Sequence, residues 1–158
     1  MISLVKSVLF VCMGNICRSP MVEGVFKAEL EKSSLATQLI VDSAGTGSWH
    51  EGNLPDPRAI KTMHRYDIDI TDQRSRPIHR RDYSDFDLIL AMDHDNLDML
   101  FANAPIEQQH KIHLFMDYAL GEETPVPDPY YGQGDGFEIV YQMLVRGSAG
   151  LVEKLETK

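Results

Sequence analysis

The chain has 158 residues, of which 43% are hydrophobic and 25% are charged, and its formal net charge at pH 7 is -9. This length and composition predict one soluble globular domain, residues 1–158, and exclude a collagenous, low-complexity or disordered chain. The negative charge disfavours nucleic acid and anionic membranes as partners. No stretch approaches the roughly 20 apolar residues that a membrane span needs, so no membrane insertion is expected.

Apolar runs of strand length alternate with helix-like segments along the chain. The predicted β-strands are residues 4–11, 38–44, 87–92 and 111–116. Each predicted helix starts at a residue suited to cap it, and these residues are Ser19, Asp56, Asp93 and Asp135. The second helix should extend to about residue 66 and the third should stop before Pro105. The last, with Glu138 completing a capping box, should reach the C-terminus.

Strands that alternate with helices imply βαβ units with right-handed crossovers. The predicted fold is therefore α/β, a single domain with a four-stranded parallel sheet and helices on both faces. Ligands in such sheets bind at the carboxyl ends of the strands. The loop after the first strand, which starts at Cys12, lies at one of these ends and is predicted to bind an anion.

Residues 12–19, with the sequence CMGNICRS, join the first strand to the first helix. Backbone amides and the helix dipole at such a junction favour a tetrahedral oxyanion, and Gly14 and Asn15 allow the backbone to curl tightly. The predicted phosphate-binding residues are Met13, Gly14, Asn15, Ile16, Cys17, Arg18 and Ser19. Groups that bind phosphate also stabilise a thiolate, which makes Cys12 a candidate nucleophile.

Arg18 distinguishes this interpretation from a structural one, in which Cys12 is only a small buried residue. A cation at a helix N-terminus opposes the helix dipole and is unfavourable unless an anion accompanies it. The guanidinium matches two phosphate oxygens, and the Ser19 hydroxyl can donate to the cysteine sulfur. Residues 12–19 are therefore interpreted as a catalytic anion site.

The segment CMGNICRSP resembles the signature of the low-molecular-weight protein tyrosine phosphatases, in which five residues separate the cysteine from Arg-Ser. Further matching segments are DSAGT at 42–46, PDPRA at 55–59, FDLILAMD at 86–93 and DPYYG at 128–132. The resemblance covers nearly the whole chain. It implies hydrolysis of phosphotyrosine or other aryl phosphate monoesters through a phosphocysteine intermediate, with Cys12, Arg18 and Asp128 as catalytic residues.

Asp128 lies in a loop rich in proline and glycine, and alone it would be a turn residue. The chemistry needs a proton for the departing phenolate, and the matching aspartate in the family is the general acid. Trp49, Tyr130 and Tyr131 are predicted to form a slot for the phenyl ring. The resemblance also implies that Asn15, Ser43 and Asp93 brace the anion loop.

Two features of the sequence bear on the outer part of the site and on its regulation. Many relatives carry a histidine near the segment IDITDQRSR, where this chain has Asp72 and Gln73, so one outer hydrogen bond of the family is in doubt. Only two cysteines occur, which favours a reducing compartment, the cytoplasm. Cys17 is close enough in sequence to trap an oxidised Cys12 reversibly as a disulfide.

The mechanism needs no cofactor, and the six histidines show no spacing typical of metal ligands. The expected partners are phosphotyrosine-containing proteins, with a tyrosine kinase as one candidate, together with phosphate and other oxyanions. A protein arginine phosphatase is the main alternative, although such enzymes favour threonine where this chain has Ile16. A phosphocysteine carrier and a silent phosphate-binding module are further alternatives. Arsenate reductase would need additional cysteines.

Overall fold

The computed structural model describes residues 5–36, 38–132 and 134–157, and its centre is a parallel β-sheet. The strands of the described chain are β1 (Ser7–Cys12), β2 (Ile40–Gly45), β3 (Leu88–Ala91) and β4 (Ile112–Leu114). They pair in the order β2-β1-β3-β4, and every pair is parallel. The predicted four-stranded parallel sheet is confirmed. The start of the first predicted strand, residue 4, lies outside the described residues.

The helices of the described residues connect the strands and close the chain. They are α1 (Arg18–Glu31), α2 (Pro57–His64), α3 (Asp82–Asp85), α4 (His94–Asn103), α5 (Phe115–Leu120), α6 (Gly136–Glu156) and a 3-10 helix (Ile106–Lys111). The four helices expected from the sequence are present. The others have six residues or fewer, which is too short to show a helical period in the sequence. No helix in these parts of the chain is both long and apolar enough to cross a membrane.

Two of the four predicted helix caps form as expected. The Asp56 carboxylate accepts a hydrogen bond from the Arg58 amide at the start of α2. The Asp93 carboxylate accepts one from the Asn96 amide at the start of α4. Both satisfy an amide that the helix itself leaves without a partner, which stabilises a helix by about 1 kcal/mol.

Of the other two predicted caps, Ser19 is wrong, and Asp135 has the predicted position but lacks the capping hydrogen bonds. Cys17, not Ser19, occupies the N-cap of α1, because the Ser19 side chain is turned toward the end of β1 instead of the helix backbone. Asp135 is the N-cap of α6 but makes no hydrogen bond with its side chain. The capping box does not form, since the Glu138 carboxylate accepts a hydrogen bond from the hydroxyl of Tyr66, a residue just after the end of α2.

The sheet carries a hydrophobic layer on each face, as the alternation along β1 requires. Val8 and Phe10 pack into the larger cluster, with residues of α1, α2, α5 and α6. Leu9 and Val11 pack into the smaller cluster, with residues of α3 and α4. All four side chains are fully buried. Helices therefore cover both faces, as predicted, and β1 ends at Cys12 in the middle of the sheet.

α6 packs closely against α5 at Gly147. A Cβ atom on Gly147 would lie 2.4 Å from Cε2 and 2.6 Å from Cζ of the Phe115 ring, which is fully buried. Forcing a methyl group against a fixed ring in a packed core costs about 1 to 3 kcal/mol.

We expect Gly147→Ala to lower the free energy of unfolding. The cost of overpacking exceeds the roughly 1 kcal/mol that alanine gains over glycine in a helix. Urea unfolding followed by circular dichroism measures the change. An unchanged or higher unfolding midpoint would contradict the close approach of α6 to Phe115.

Candidate active site

The loop between β1 and α1 turns its carbonyl oxygens outward. The Cys12 oxygen accepts a hydrogen bond from Thr46 N (2.9 Å), and the Met13 oxygen accepts one from Gly47 N (3.0 Å). The Gly14 oxygen accepts from Ser75 Oγ (2.9 Å), and the Ile16 oxygen accepts from Asp56 N (2.8 Å). In a trans peptide the N–H points opposite to the carbonyl, and the described residues contain no cis peptide. The amide hydrogens that follow these carbonyls therefore point to the inside of the loop.

Asn15 holds the curled backbone of the loop in place. Its φ angle is 56°, in the left-handed region that asparagine tolerates better than most residues. Its side-chain nitrogen donates to Ser19 Oγ (2.7 Å) and Ser43 Oγ (3.0 Å), while its side-chain oxygen accepts from the Arg76 amide (3.0 Å). Asn15 and Ser43 therefore lie where the resemblance implied, bracing the loop from behind.

The hydrogen bonds behind the loop continue to Glu23, a residue that sequence reasoning missed. Ser43 Oγ donates to Glu23 Oε1 (2.8 Å), and Lys27 donates to the other carboxylate oxygen (2.6 Å). Burial raises the pKa of Glu23, and the bonds from Lys27 and Ser43 offset only part of this effect. A buried glutamate in α1 close to Ser43 was not visible as a pattern in the sequence.

Asp72 and Gln73 occupy the segment where many relatives carry a histidine. Asp72 is exposed. The Gln73 side-chain nitrogen donates to the Pro20 carbonyl oxygen in the first turn of α1 (3.0 Å). This segment therefore still contacts α1, but through an amide instead of an imidazole.

Cys12 lies at the base of the loop with its sulfur 3.0 Å from Ser19 Oγ. Asn15 donates to that oxygen, and the Ser19 hydroxyl can itself donate to the sulfur or, over 3.5 Å, to the Ala44 carbonyl oxygen. Cys17 faces the same region. Burial, followed by the charges of nearby acidic groups, raises the pKa of the Cys17 thiol. Both cysteines are free thiols.

Arg18 is the buried cation of the site, with only 2% of its surface exposed. It donates to Asp93 Oδ2 (2.5 Å) and to the Val126 carbonyl oxygen (3.0 Å), and its other terminal nitrogen lies 3.5 Å from Asp128 Oδ2. Burial alone would lower the pKa of Arg18, but the charges of Cys12 and Asp93 outweigh it and raise the value. Asp93 is thus placed to brace Arg18, as the resemblance implied.

A pocket of about 310 Å³ opens above this loop. Its lining brings the predicted groups together: Cys12, Met13, Gly14, Ile16, Cys17, Arg18, Trp49, His50, Asp128, Tyr130 and Tyr131. Trp49 and Tyr131 are 72% and 78% exposed, so they form the rim, whereas Cys12 and Arg18 lie at the base. The cysteine is buried in the protein yet open to this pocket.

Gly47 explains how the exposed Trp49 ring is held beside the pocket. A Cβ atom on Gly47 would lie 1.8 Å from Cζ3 of the indole, so the ring occupies the space that a side chain would fill. His50, which the sequence did not predict to be part of the site, also lines the pocket. Its ring centroid is 6.4 Å from that of Tyr130. Among the described residues, no group of three His, Cys, Asp or Glu side chains could hold a metal ion.

Comparison with known proteins identifies relatives over nearly the whole chain. The family model for low molecular weight phosphotyrosine protein phosphatase matches residues 7–158. The chain is 43% identical over 150 residues to a protein of that name from Schizosaccharomyces pombe, covering 94% of this chain and 96% of the relative. The chain is 40% identical over 151 residues to the human protein of that name, and the match covers 94% of this chain and 95% of the human protein.

A solved structure shows the same relationship. The crystal structure of a protein tyrosine phosphatase from Entamoeba histolytica, with Hepes in its active site, has a TM-score of 0.91 to this chain. The two are 40% identical, and the match covers 96% of this chain and 97% of that one.

We expect iodoacetamide at neutral pH to modify Cys12 and to leave Cys17 largely unmodified. The raised pKa of Cys17 keeps it a protonated thiol, and only a thiolate attacks the reagent, so Cys17 should react more than about tenfold more slowly. Tandem mass spectrometry locates the label within the peptide that contains both residues. Cys12→Ser is the control and should take up almost no label. Equal labelling of both cysteines would contradict the prediction.

Proposed function

The chain belongs to the low molecular weight phosphotyrosine protein phosphatase family, and from this membership we propose that Cys12, Arg18 and Asp128 are its catalytic residues. The protein is a phosphatase that hydrolyses phosphotyrosine in proteins. The observation that carries the proposed roles is the pocket, which has Cys12 and Arg18 at its base and Asp128 in its wall.

The loop binds the phosphoryl group of the substrate. Its inward amide hydrogens and the N-terminus of α1 supply partial positive charge, and the Arg18 guanidinium supplies a full charge with two donors. As charge redistributes over the equatorial oxygens in the transition state, these fixed donors stabilise it without having to reorganise. The bound phosphoryl group takes over part of the pairing that Arg18 has with Asp128 in the structure.

Cys12 attacks phosphorus as a thiolate. The S–P bond forms while the P–O bond to the phenolic oxygen breaks, and Asp128 gives its proton to that oxygen. Asp128, now a carboxylate, then takes a proton from water. The resulting hydroxide attacks phosphorus, the S–P bond breaks, and the products are inorganic phosphate and the Cys12 thiolate. Ser19 Oγ, 3.0 Å from the sulfur, stabilises that thiolate at the start and at the end.

The aromatic rim selects the substrate. Trp49, Tyr130 and Tyr131 present ring faces or edges to a phenyl group, and a good aromatic pair adds about 0.5 to 1.5 kcal/mol beyond burial. Ile16 also lines the pocket, and its apolar side chain offers no hydrogen bond to the guanidinium of a phosphoarginine substrate. The rim residues therefore favour an aryl phosphate over the alternative substrate.

The cellular setting is a further part of the proposal. Two free thiols in the site fit a reducing compartment such as the cytoplasm, and a disulfide between Cys12 and Cys17 would block attack until it is reduced. Phosphotyrosine proteins, tyrosine kinases included, are the proposed partners. Nucleic acid is not among them, since the net charge of -9 opposes a polyanion.

We expect Cys12→Ser to abolish turnover and Asp128→Asn to slow hydrolysis of a phosphotyrosine peptide by about 10²- to 10⁴-fold, because the phenolate then leaves without a proton. Release of inorganic phosphate measures the rates. Asp98→Asn, an exposed carboxylate on α4, is the control and should retain the original rate.

Parallel assays with phosphoserine and phosphoarginine test the choice of substrate, and we expect little turnover of either. Near-normal turnover by Cys12→Ser would overturn covalent catalysis. Faster hydrolysis of phosphoarginine than of phosphotyrosine would overturn the role given to the aromatic rim.

A further inference from the structure

Arg58 joins the anion loop to the loop that carries Asp128. It lies on α2, has 47% of its side chain exposed and does not line the pocket. We propose that Arg58 is a positioning residue, which holds the Asp128 carboxyl group where it can give its proton to the phenolic oxygen that leaves when Cys12 attacks. This inference rests on the proposed role of Asp128 as the general acid.

The first half of the connection runs from the anion loop to Arg58. The Asp56 amide donates to the Ile16 carbonyl oxygen (2.8 Å), which ties the start of α2 to the loop. The Asp56 carboxylate then accepts from Arg58 Nε (3.0 Å) on one oxygen and from Arg58 Nη2 (2.9 Å) on the other. This two-point contact fixes the plane of the guanidinium, which a single contact would not do.

The second half runs from Arg58 to the acid. Arg58 Nη1 donates to the Tyr130 carbonyl oxygen (3.2 Å), and the Tyr130 amide donates to Asp128 Oδ1 (3.0 Å). The residue that Arg58 holds through its carbonyl therefore orients the Asp128 carboxyl group through its amide. Oδ2 is left for the pocket, where it lies 3.5 Å from Arg18.

Two aromatic rings hold the same guanidinium from the side. The Arg58 Cζ atom lies 5.2 Å from the centroid of Tyr130 and 4.8 Å from that of Phe137, both within the range of a cation–π contact. Tyr130 belongs to the loop of Asp128, and Phe137 belongs to the first turn of α6 that follows this loop. Arg58 thus contacts the chain on both sides of the loop's glycines, Gly132 and Gly134.

Loss of Arg58 should therefore impair the acid step and spare phosphate binding. Protonation matters most when the leaving phenolate is strongly basic, as with phenyl phosphate or phosphotyrosine, and matters little for 2,4-dinitrophenyl phosphate. The ratio kcat/KM reports all steps through P–O cleavage and leaves out the later hydrolysis, in which Asp128 also takes part. A displacement of the acid by about 1 Å is enough to cost about 10²-fold in rate.

We expect Arg58→Ala to lower kcat/KM for phenyl phosphate by about 10- to 100-fold and for 2,4-dinitrophenyl phosphate by less than about threefold. The double variant Arg58→Ala/Asp128→Asn should be no slower than Asp128→Asn, because residues that act through one group are not additive. Arg58→Lys should recover only part of the loss, since an ammonium cannot contact Asp56 and Tyr130 as a planar fork. Lys61→Ala, which removes an exposed cation from the same helix, should match the original protein.

The outcomes separate this inference from the function on which it rests. If Asp128→Asn slows phenyl phosphate selectively and Arg58→Ala does not, the positioning role is overturned and the acid stands. Equal losses on both substrates would mean that Arg58 only stabilises the fold, which also overturns the role. If Asp128→Asn slows both substrates equally, the acid assignment fails and the inference fails with it. Full recovery in Arg58→Lys would overturn the fork geometry.

Discussion

Everything in the site depends on where the loop after β1 places its carbonyl oxygens. A loop can present several amide hydrogens to one ligand only if the attached carbonyls find donors elsewhere. Here the donors come from the segment after β2, from the start of α2 and from Ser75. Asn15 adds a brace to Ser43 on β2. The anion site is therefore a property of the assembled fold, and residues 12–18 alone would not hold it.

The charges around the pocket raise a second constraint, because an anion site is set among carboxylates in a protein of net charge -9. The guanidinium groups of Arg18 and Arg58 offset the charges of these carboxylates. Arg18 faces Asp93 and Asp128 from the base of the pocket. Arg58 binds Asp56 outside it. Asp93 also caps α4, so a single carboxylate fixes both the helix and the arginine. These acids orient the cations while the amides and the guanidinium attract the phosphoryl group.

The sequence predicted those parts of the molecule whose signal is local. Cys12, Arg18 and Ser19 lie within eight residues of one another, and a buried strand before them and a helix after them identified the loop. Contacts between distant segments had no such local signal, and Ser43, Asp93 and Asp128 were assigned to the site only through the family resemblance. Two contacts were missed altogether: Arg58 and Tyr130 are 72 residues apart, and Glu23 meets Ser43 only after β2 has paired with β1. The error at Ser19 has a different origin, because both of its possible contacts are local. Its side chain had two available roles, and the position of Cys12 in the folded chain decided between them.

Trp49 is the single tryptophan of the chain, and its indole rests over Gly47 at the rim of the pocket. When the protein is excited at wavelengths longer than those that tyrosine absorbs, its fluorescence therefore comes from this indole alone. A ligand that enters the pocket changes the solvent around that indole, so occupancy can be titrated optically, with unlabelled protein and without any turnover.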